Sequence, residues 1–212
     1  MKKPYISKNV ILRMPRYLRT LTELQKEGIH RISSGELGAR MRLTPSQIRQ
    51  DFACFGGFGQ QGYGYNVKTL RDEVASILGV NRGFQMVLVG TGKIGQSLLE
   101  NFDFESYGFK LRAAFDIRHD LIGENICGVP VLDCSEMEDF IRSNGIHVAV
   151  LSTNRAGAQR AVDTLIAGGI RAIWNFTECE LSPGDSDVII ESIHFSESLL
   201  RLGFHLSNSA SA

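Results

Sequence analysis

The sequence predicts an α/β chain in two parts: a basic helical module closed by a glycine-rich hairpin, then a doubly wound parallel sheet with one helix at its end. Three observations predict it. The 212 residues carry 23 basic and 23 acidic side chains, yet residues 1–82 hold 14 Lys and Arg against 6 Asp and Glu, a net of +8, and the remainder holds 9 against 17, a net of −8. Helix-start signals crowd the basic part. In the acidic part, short apolar runs alternate with helical patterns, and the first run passes straight into a glycine loop. The expected boundaries are 1–82, 83–194 and 195–212.

In the basic part, Leu18, Leu21 and Leu24 recur at helical spacing from Pro15 to Gly28, which predicts one amphipathic helix with the proline in its first turn. Ser33 stands three residues before Glu36, a capping-box pattern, and Leu37 and Met41 follow on one face. Thr44-Pro45-Ser46-Gln47 repeats the signal with proline at the first helical position. Ile48 and Phe52 of that helix should face the core, which turns Ser46, Arg49, Gln50 and Ala53 outward. Two helices and a short turn make a helix-turn-helix layout. Ser46, Gln47, Arg49 and Gln50 can donate to phosphate oxygens and read base edges, although a solvated helix face has the same composition. The run Phe55 to Tyr65 packs five glycines among four aromatics, which suits a tight hairpin, the wing of a winged helix. Its tip, Gly59, Gln60, Gln61, Gly62 and Tyr63, could enter a minor groove; a loose loop is the alternative.

In the acidic part, Phe84 to Val89 reads as a buried parallel strand leading into Gly90-Thr91-Gly92-Lys93-Ile94-Gly95. This is the G-x-G-x-x-G pattern of a Rossmann dinucleotide site. Its glycines permit the tight turn, the approach of backbone to a pyrophosphate, and the packing of the following helix. A second strand ends in Asp116, 21 residues after Gly95, where a carboxylate would hold an adenosine ribose and favour NAD(H) over NADP(H); Arg118 follows two residues later. Further strands are expected at 129–132, 147–151, 171–176 and 188–192, with helices at 135–144 and 157–167 between them. Strand ends nominate Ser152, Thr153, Asn154, Asn175 and Phe176 as further nucleotide contacts. Leu199, Leu202 and Leu206 predict a terminal amphipathic helix whose apolar face needs cover from its own chain or a partner.

Composition excludes several classes. With 43% apolar and 22% charged residues the chain is neither disordered nor collagen-like, and no apolar run is long enough to cross a bilayer. The apolar stretch Val10-Ile11-Leu12 is too short for a secretory signal, which predicts a cytoplasmic protein. Cys54, Cys127, Cys134 and Cys179 form no Cys-x-x-Cys pair and have no His at zinc spacing, so free thiols and no metal are expected. A dehydrogenase would need a general acid or base and a substrate domain. Neither is evident in the roughly 130 residues after the basic module, so a nucleotide-responsive DNA-binding protein is expected in place of an enzyme.

These residues resemble the Rex family of bacterial redox-sensing transcriptional repressors along almost the whole chain. The resemblance is carried by Arg13 to Arg19, Ile32 to Gly38, Thr44 to Phe52, Phe55 to Val67, Val89 to Gly95, Ala114-Phe115-Asp116, Gly128 to Val131 and Ile173 to Phe176. It implies a homodimer that binds a palindromic operator when NADH is scarce relative to NAD+ and releases it when NADH binds. It also implies that Arg13, Arg16 and Tyr17 belong to the DNA-binding set and that each terminal helix inserts beside the partner subunit. The chain departs from the family pattern at Lys93, Asn101 and Ser152-Thr153-Asn154. Two alternatives stay open: a regulator of the same build whose NADH response is altered or lost, and a small NAD-dependent oxidoreductase.

Overall fold

The structure, a computed structural model, describes residues 6–56 and 63–209. Gly59, Gln60, Gln61 and Gly62 of the expected wing tip lie outside the described residues. Packing divides the chain into two compact units that meet between Asn81 and Arg82.

The first unit opens with α1 (Lys8–Lys26), which starts seven residues before the expected proline. Ser7 caps it by accepting from the Val10 amide, and Val10, Met14, Tyr17, Leu21 and Leu24 form its buried stripe. Pro15 lies inside the helix on its exposed side, where water can serve the carbonyl that the missing N–H leaves unpaired. After β1 (Arg31–Ile32), the capping box of α2 (Ser34–Met41) forms as expected: the Glu36 amide donates to Ser33 Oγ at 3.1 Å and the Ser33 amide to Glu36 Oε2 at 2.8 Å. In α3 (Pro45–Ala53), Thr44 caps through the Gln47 amide at 3.2 Å, while the Gln47 side chain turns away to Asp51.

The strand β2 (Tyr65–Asn66) pairs antiparallel with β1, setting Ile32 opposite Tyr65. The described end of the wing is therefore anchored to the segment before α2 and not to residues following α3. A further helix, α4 (Val67–Ile77), was not expected from the sequence. Its signal was present nonetheless: Asn66 caps the Thr69 amide, and Val67, Leu70 and Val74 recur on one buried face. At the centre of this unit the Phe52 ring sits 4.8 Å from Tyr17 and 5.4 Å from Tyr65, centroid to centroid.

The second unit is a seven-stranded sheet. In chain order its elements are β3 (Phe84–Val89), α5 (Lys93–Asn101), β4 (Phe109–Asp116), β5 (Asn125–Ile126), β6 (Val129–Asp133), α6 (Met137–Asn144), β7 (Val148–Leu151), α7 (Arg155–Ala167), β8 (Ala172–Asn175), β9 (Ile189–Ser192) and α8 (Phe195–Ser209). The spatial order is β5-β6-β4-β3-β7-β8-β9. All neighbours are parallel except the short edge strand β5. The six parallel strands thus run three, two, one, four, five, six, the Rossmann order, with the reversal between β3 and β7.

The apolar run Met86 to Val89 of β3 has a packing cause. Val87 and Val89 pack against α6 and α7 through Met137, Ile141, Val162 and Leu165, while Met86 and Leu88 pack on the other face with Leu99 and Phe104. Both faces are covered from Met86 to Val89, so those four positions are apolar, while Gln85 sits at the half-buried start of the strand. The helix α8 is different. Its Phe195, Leu199, Leu200, Leu202, Phe204 and Leu206 are each more than half exposed.

Candidate nucleotide site and nucleic-acid interface

The glycine loop lies at the carboxyl end of β3, beside the point where strand order reverses. Gly90 has φ +94°, and a Cβ on Gly95 would stand 2.1 Å from the Gly90 carbonyl oxygen, so the loop closes on the helix only with hydrogen at residue 95. Gly92 begins α5 with no side-chain cap, and a Cβ there would meet nothing within 4 Å. The first amides of α5 are thereby left for an anion, with Lys93 and Ile94 exposed beside them.

A cavity of about 570 Å³ opens next to this loop, a size suited to a small-molecule ligand. Its wall includes Gly90 and Gly92 from one side of the switch point and Ser152, Thr153 and Asn154 from the other. Ser152 Oγ donates to the Gly90 carbonyl at 2.8 Å, tying the two loops together. Asn154 caps α7 by accepting from the Gly157 amide at 3.0 Å. The Thr153 hydroxyl is buried without a partner among the described residues, an orphaned polar atom in the wall of a cavity. The open cradle at Gly92, the uncapped helix start and this hydroxyl all fit a dinucleotide whose pyrophosphate sits on α5.

Thr91 is fully buried, and both its amide and its hydroxyl donate to Asp116 Oδ2, at 2.7 and 2.5 Å. Asp116 Oδ1 accepts from the Ile117 and Arg118 amides at 2.8 and 3.0 Å, and from Arg118 Nε at 3.4 Å. The carboxylate expected to hold the adenosine ribose lines the cavity, and both of its oxygens accept hydrogen bonds from within the protein. Burial alone would raise the pKa of Asp116, but the Thr91 and Arg118 hydrogen bonds outweigh it and pull the group down to about 2. A carboxyl whose folded pKa lies below its unfolded value contributes stability above the unfolded value, and that stability disappears as pH falls through the folded one. Between about pH 4 and pH 2 the second unit should therefore lose on the order of 2 kcal/mol that an Asp116→Asn variant does not lose. Acid titration of both proteins by circular dichroism measures this, and a stability difference that stays constant over that range contradicts it.

Asn175 and Phe176 do not line the cavity. The Asn175 side chain donates to the Cys179 carbonyl and the Ser192 hydroxyl and accepts from the Thr177 amide and hydroxyl, so it organises the turn after β8. Phe176 packs edge-on against Trp174 at 4.5 Å. A polar residue at a strand end has two uses, turn geometry and ligand contact, and here turn geometry takes every donor and acceptor of the Asn175 side chain. The cavity holds residues that sequence reasoning missed, among them Arg160, Asp133 and Cys134. Burial pushes the Cys134 thiol up to about 11, with Asp116 and Asp133 adding to the shift, so it stays protonated at neutral pH.

In the first unit, the face of α3 stands as the helical period requires. Ser46, Arg49 and Gln50 are exposed, and Arg49 Nη1 donates to Ser34 Oγ at 3.0 Å. Tyr63 is 70% exposed, with the Arg31 guanidinium 5.9 Å from its ring centroid. The α1 residues are divided. Arg16 is exposed and donates to the Met41 carbonyl at the end of α2 at 2.9 Å. Tyr17 is fully buried, a correction to its place in the DNA-binding set, because a ring in the core cannot reach a duplex.

Tyr17 belongs to a network centred on Asp51, which is itself 0% exposed. Asp51 accepts from Arg13 Nε and Nη2, both at 2.7 Å, and from the Tyr17 hydroxyl and Gln47 Nε2, both at 2.8 Å. Burial favours the neutral acid, yet the Arg13, Tyr17 and Gln47 hydrogen bonds prevail and lower the Asp51 pKa. Arg13 and Tyr17 therefore fix α3 on α1, while Gln47 holds the Asp51 carboxylate from one turn earlier in α3. Asp51 was not singled out by sequence reasoning; an acid on the core side of an amphipathic helix, one position before Phe52, was the available signal.

Known proteins agree with this geometry. A family model described as "Putative DNA-binding protein N-terminus" matches residues 5–53, and one described as "CoA binding domain" matches residues 81–179. The chain is 48% identical over 210 residues to a protein of Clostridium beijerinckii named redox-sensing transcriptional repressor Rex, with 99% of each chain covered. It is 46% identical to the protein of the same name from Caldanaerobacter subterraneus, with 97% of this chain and 92% of that one covered. The crystal structure of RSP in complex with β-NAD+ and operator DNA superposes with a TM-score of 0.92 at 44% identity, covering 97% of this chain and 94% of that one. RSP in complex with β-NADH gives a TM-score of 0.88 at 41% identity, covering 97% and 96%. The chain belongs to the Rex family of redox-sensing transcriptional repressors.

Proposed function

We propose that this chain is a transcriptional repressor that reads the NADH/NAD+ ratio, holding operator DNA when NADH is low and releasing it when NADH binds. The observation that carries the reading is the cavity at the switch point, bounded by an uncapped, glycine-started α5 and fed by both strand-end loops. Gly90, Gly92, Lys93 and Ile94 would take the pyrophosphate region and Ser152, Thr153 and Asn154 the opposite wall. When bound, the nicotinamide supplies a redox state, its ring being cationic when oxidised and neutral when reduced. Sensing requires only that these two forms favour different arrangements of the DNA-binding units. A relative crystallised with NAD+ and operator together supports a DNA-competent oxidised state.

Ser46, Arg49 and Gln50 would enter a major groove, with Arg16 and Tyr63 at its margins. The six apolar side chains along α8 favour a homodimer that covers them, and a two-fold dimer calls for a palindromic operator. The relatives named as transcriptional repressors support a chain that acts by binding without turnover. A repressor works beside the chromosome, which places it in the cytoplasm.

Titrating NADH and NAD+ into the protein–operator complex tests the reading. NADH should release the operator at concentrations where NAD+ does not, and equal effects of the two nucleotides would refute it. In the same assay Arg49→Ala should weaken operator binding by about 1–3 kcal/mol if its guanidinium reads a base edge.

A further inference from the structure

We infer that the adenosine end of this cavity accepts a ribose 2′-phosphate, so that the site takes NADPH as well as NADH. The inference rests on the nucleotide-site reading above and concerns only its selectivity. In a dinucleotide fold, the acid at the end of the second strand excludes a 2′-phosphate by accepting from the 2′-hydroxyl and by repelling the added charge. Asp116 can do neither well. It is 7% exposed, and its two oxygens already accept five donations, from the Thr91 amide and hydroxyl, the Ile117 and Arg118 amides, and Arg118 Nε.

Arg118 stands beside Asp116 in the cavity wall. Its side chain is 46% exposed and lines the cavity. Nε is held by Asp116, and Nη2 donates to the Thr91 carbonyl at 2.7 Å and to its hydroxyl at 3.4 Å, which fixes the plane of the guanidinium on the loop. Nη1 has no partner among the described residues and is left for a phosphate oxygen. Arg160 of α7 lines the same cavity and adds a second cation. The opposing acids are Asp116, paired with Arg118, and Asp133, whose Oδ1 accepts the Ser135 amide. Two arginines offset two carboxylates, so the wall does not repel a phosphate dianion as a lone free acid would. A sequence rule that counts only the acid at the strand end favours NAD(H); the pairing of that acid reverses its meaning.

Titration of the full-length protein with NADH and with NADPH, followed by nicotinamide fluorescence, measures the selectivity. Competition by adenosine 2′,5′-bisphosphate against ADP isolates the added phosphate. NADPH should bind within about tenfold of NADH, and Arg118→Gln should lower the NADPH-to-NADH affinity ratio by about tenfold while Arg118→Lys lowers it less. The ratio cancels any general damage to the loop, which would weaken both nucleotides alike. Wild-type NADPH binding more than about 100-fold weaker than NADH, or an unchanged ratio in Arg118→Gln, overturns the inference and leaves the NADH-sensing role standing. Absence of binding by both nucleotides would overturn the parent reading and this one together.

Discussion

Gly92→Val should abolish the nucleotide response while leaving the fold and operator binding in place. The backbone at Gly92 has φ −69° and ψ −169°, an extended conformation open to any residue, and a Cβ there meets nothing within 4 Å. The fold has no use for hydrogen at this position. A pyrophosphate does, because it must approach the first amides of α5 to hydrogen-bond distance, and a branched side chain at the helix start stands in that path. The expected loss in NADH affinity is on the order of 100-fold, or about 2.7 kcal/mol. Operator complexes of the variant should then resist NADH at concentrations that dissociate the wild type. Release of operator at wild-type NADH concentrations would show that the dinucleotide does not lie on this loop. Gly95 provides the contrast: any side chain there strikes the Gly90 carbonyl, so a substitution damages the fold before it informs about the ligand.

Asp51→Ala should destabilise the first unit by about 3–5 kcal/mol and remove operator binding with it. The carboxylate is inaccessible to solvent and, among the described residues, is the single acceptor for the side chains of Arg13, Tyr17 and Gln47. Its removal leaves a cation, a phenol and an amide near the core without a partner, and an unmatched buried donor costs more than the bond it made. Arg13 retains some access to water, which places the expected cost toward the lower end of that range. The double variant Arg13→Ala/Asp51→Ala should cost clearly less than the sum of the two single variants, since each removes the same pair. Thermal unfolding of the three variants decides this. Additive losses would mean that Asp51 acts through packing and not as the anchor of a charged network.

The legible parts of this chain were those governed by local chemistry. Ser33 with Glu36 and Thr44 with Pro45 announced α2 and α3, because a cap satisfies amides that no tertiary contact can reach. Met86 to Val89 announced a central strand, because a strand covered on both faces has no polar side. Local signals also misled. Pro15 was read as a helix start although the apolar stripe ran back to Val10. The α4 helix was overlooked because its cap, Asn66, follows directly on a strand residue without a loop to set it off.

Sequence alone determined that a positive helix-turn-helix unit precedes a negative dinucleotide fold, because charge, caps and hydrophobic period are properties of neighbouring residues. Tertiary structure alone decided what the polar groups do. Asp116 and Arg118 are two residues apart in any reading, but only the fold sets the acid under Thr91, 25 residues away, and leaves the guanidinium half-exposed at the cavity. Asp51 likewise meets Arg13 across 38 residues. Periodicity says which side of an element a residue occupies. Which donor an acceptor finds there depends on how distant segments pack, and a buried carboxylate takes whichever partners that packing brings within about 3 Å.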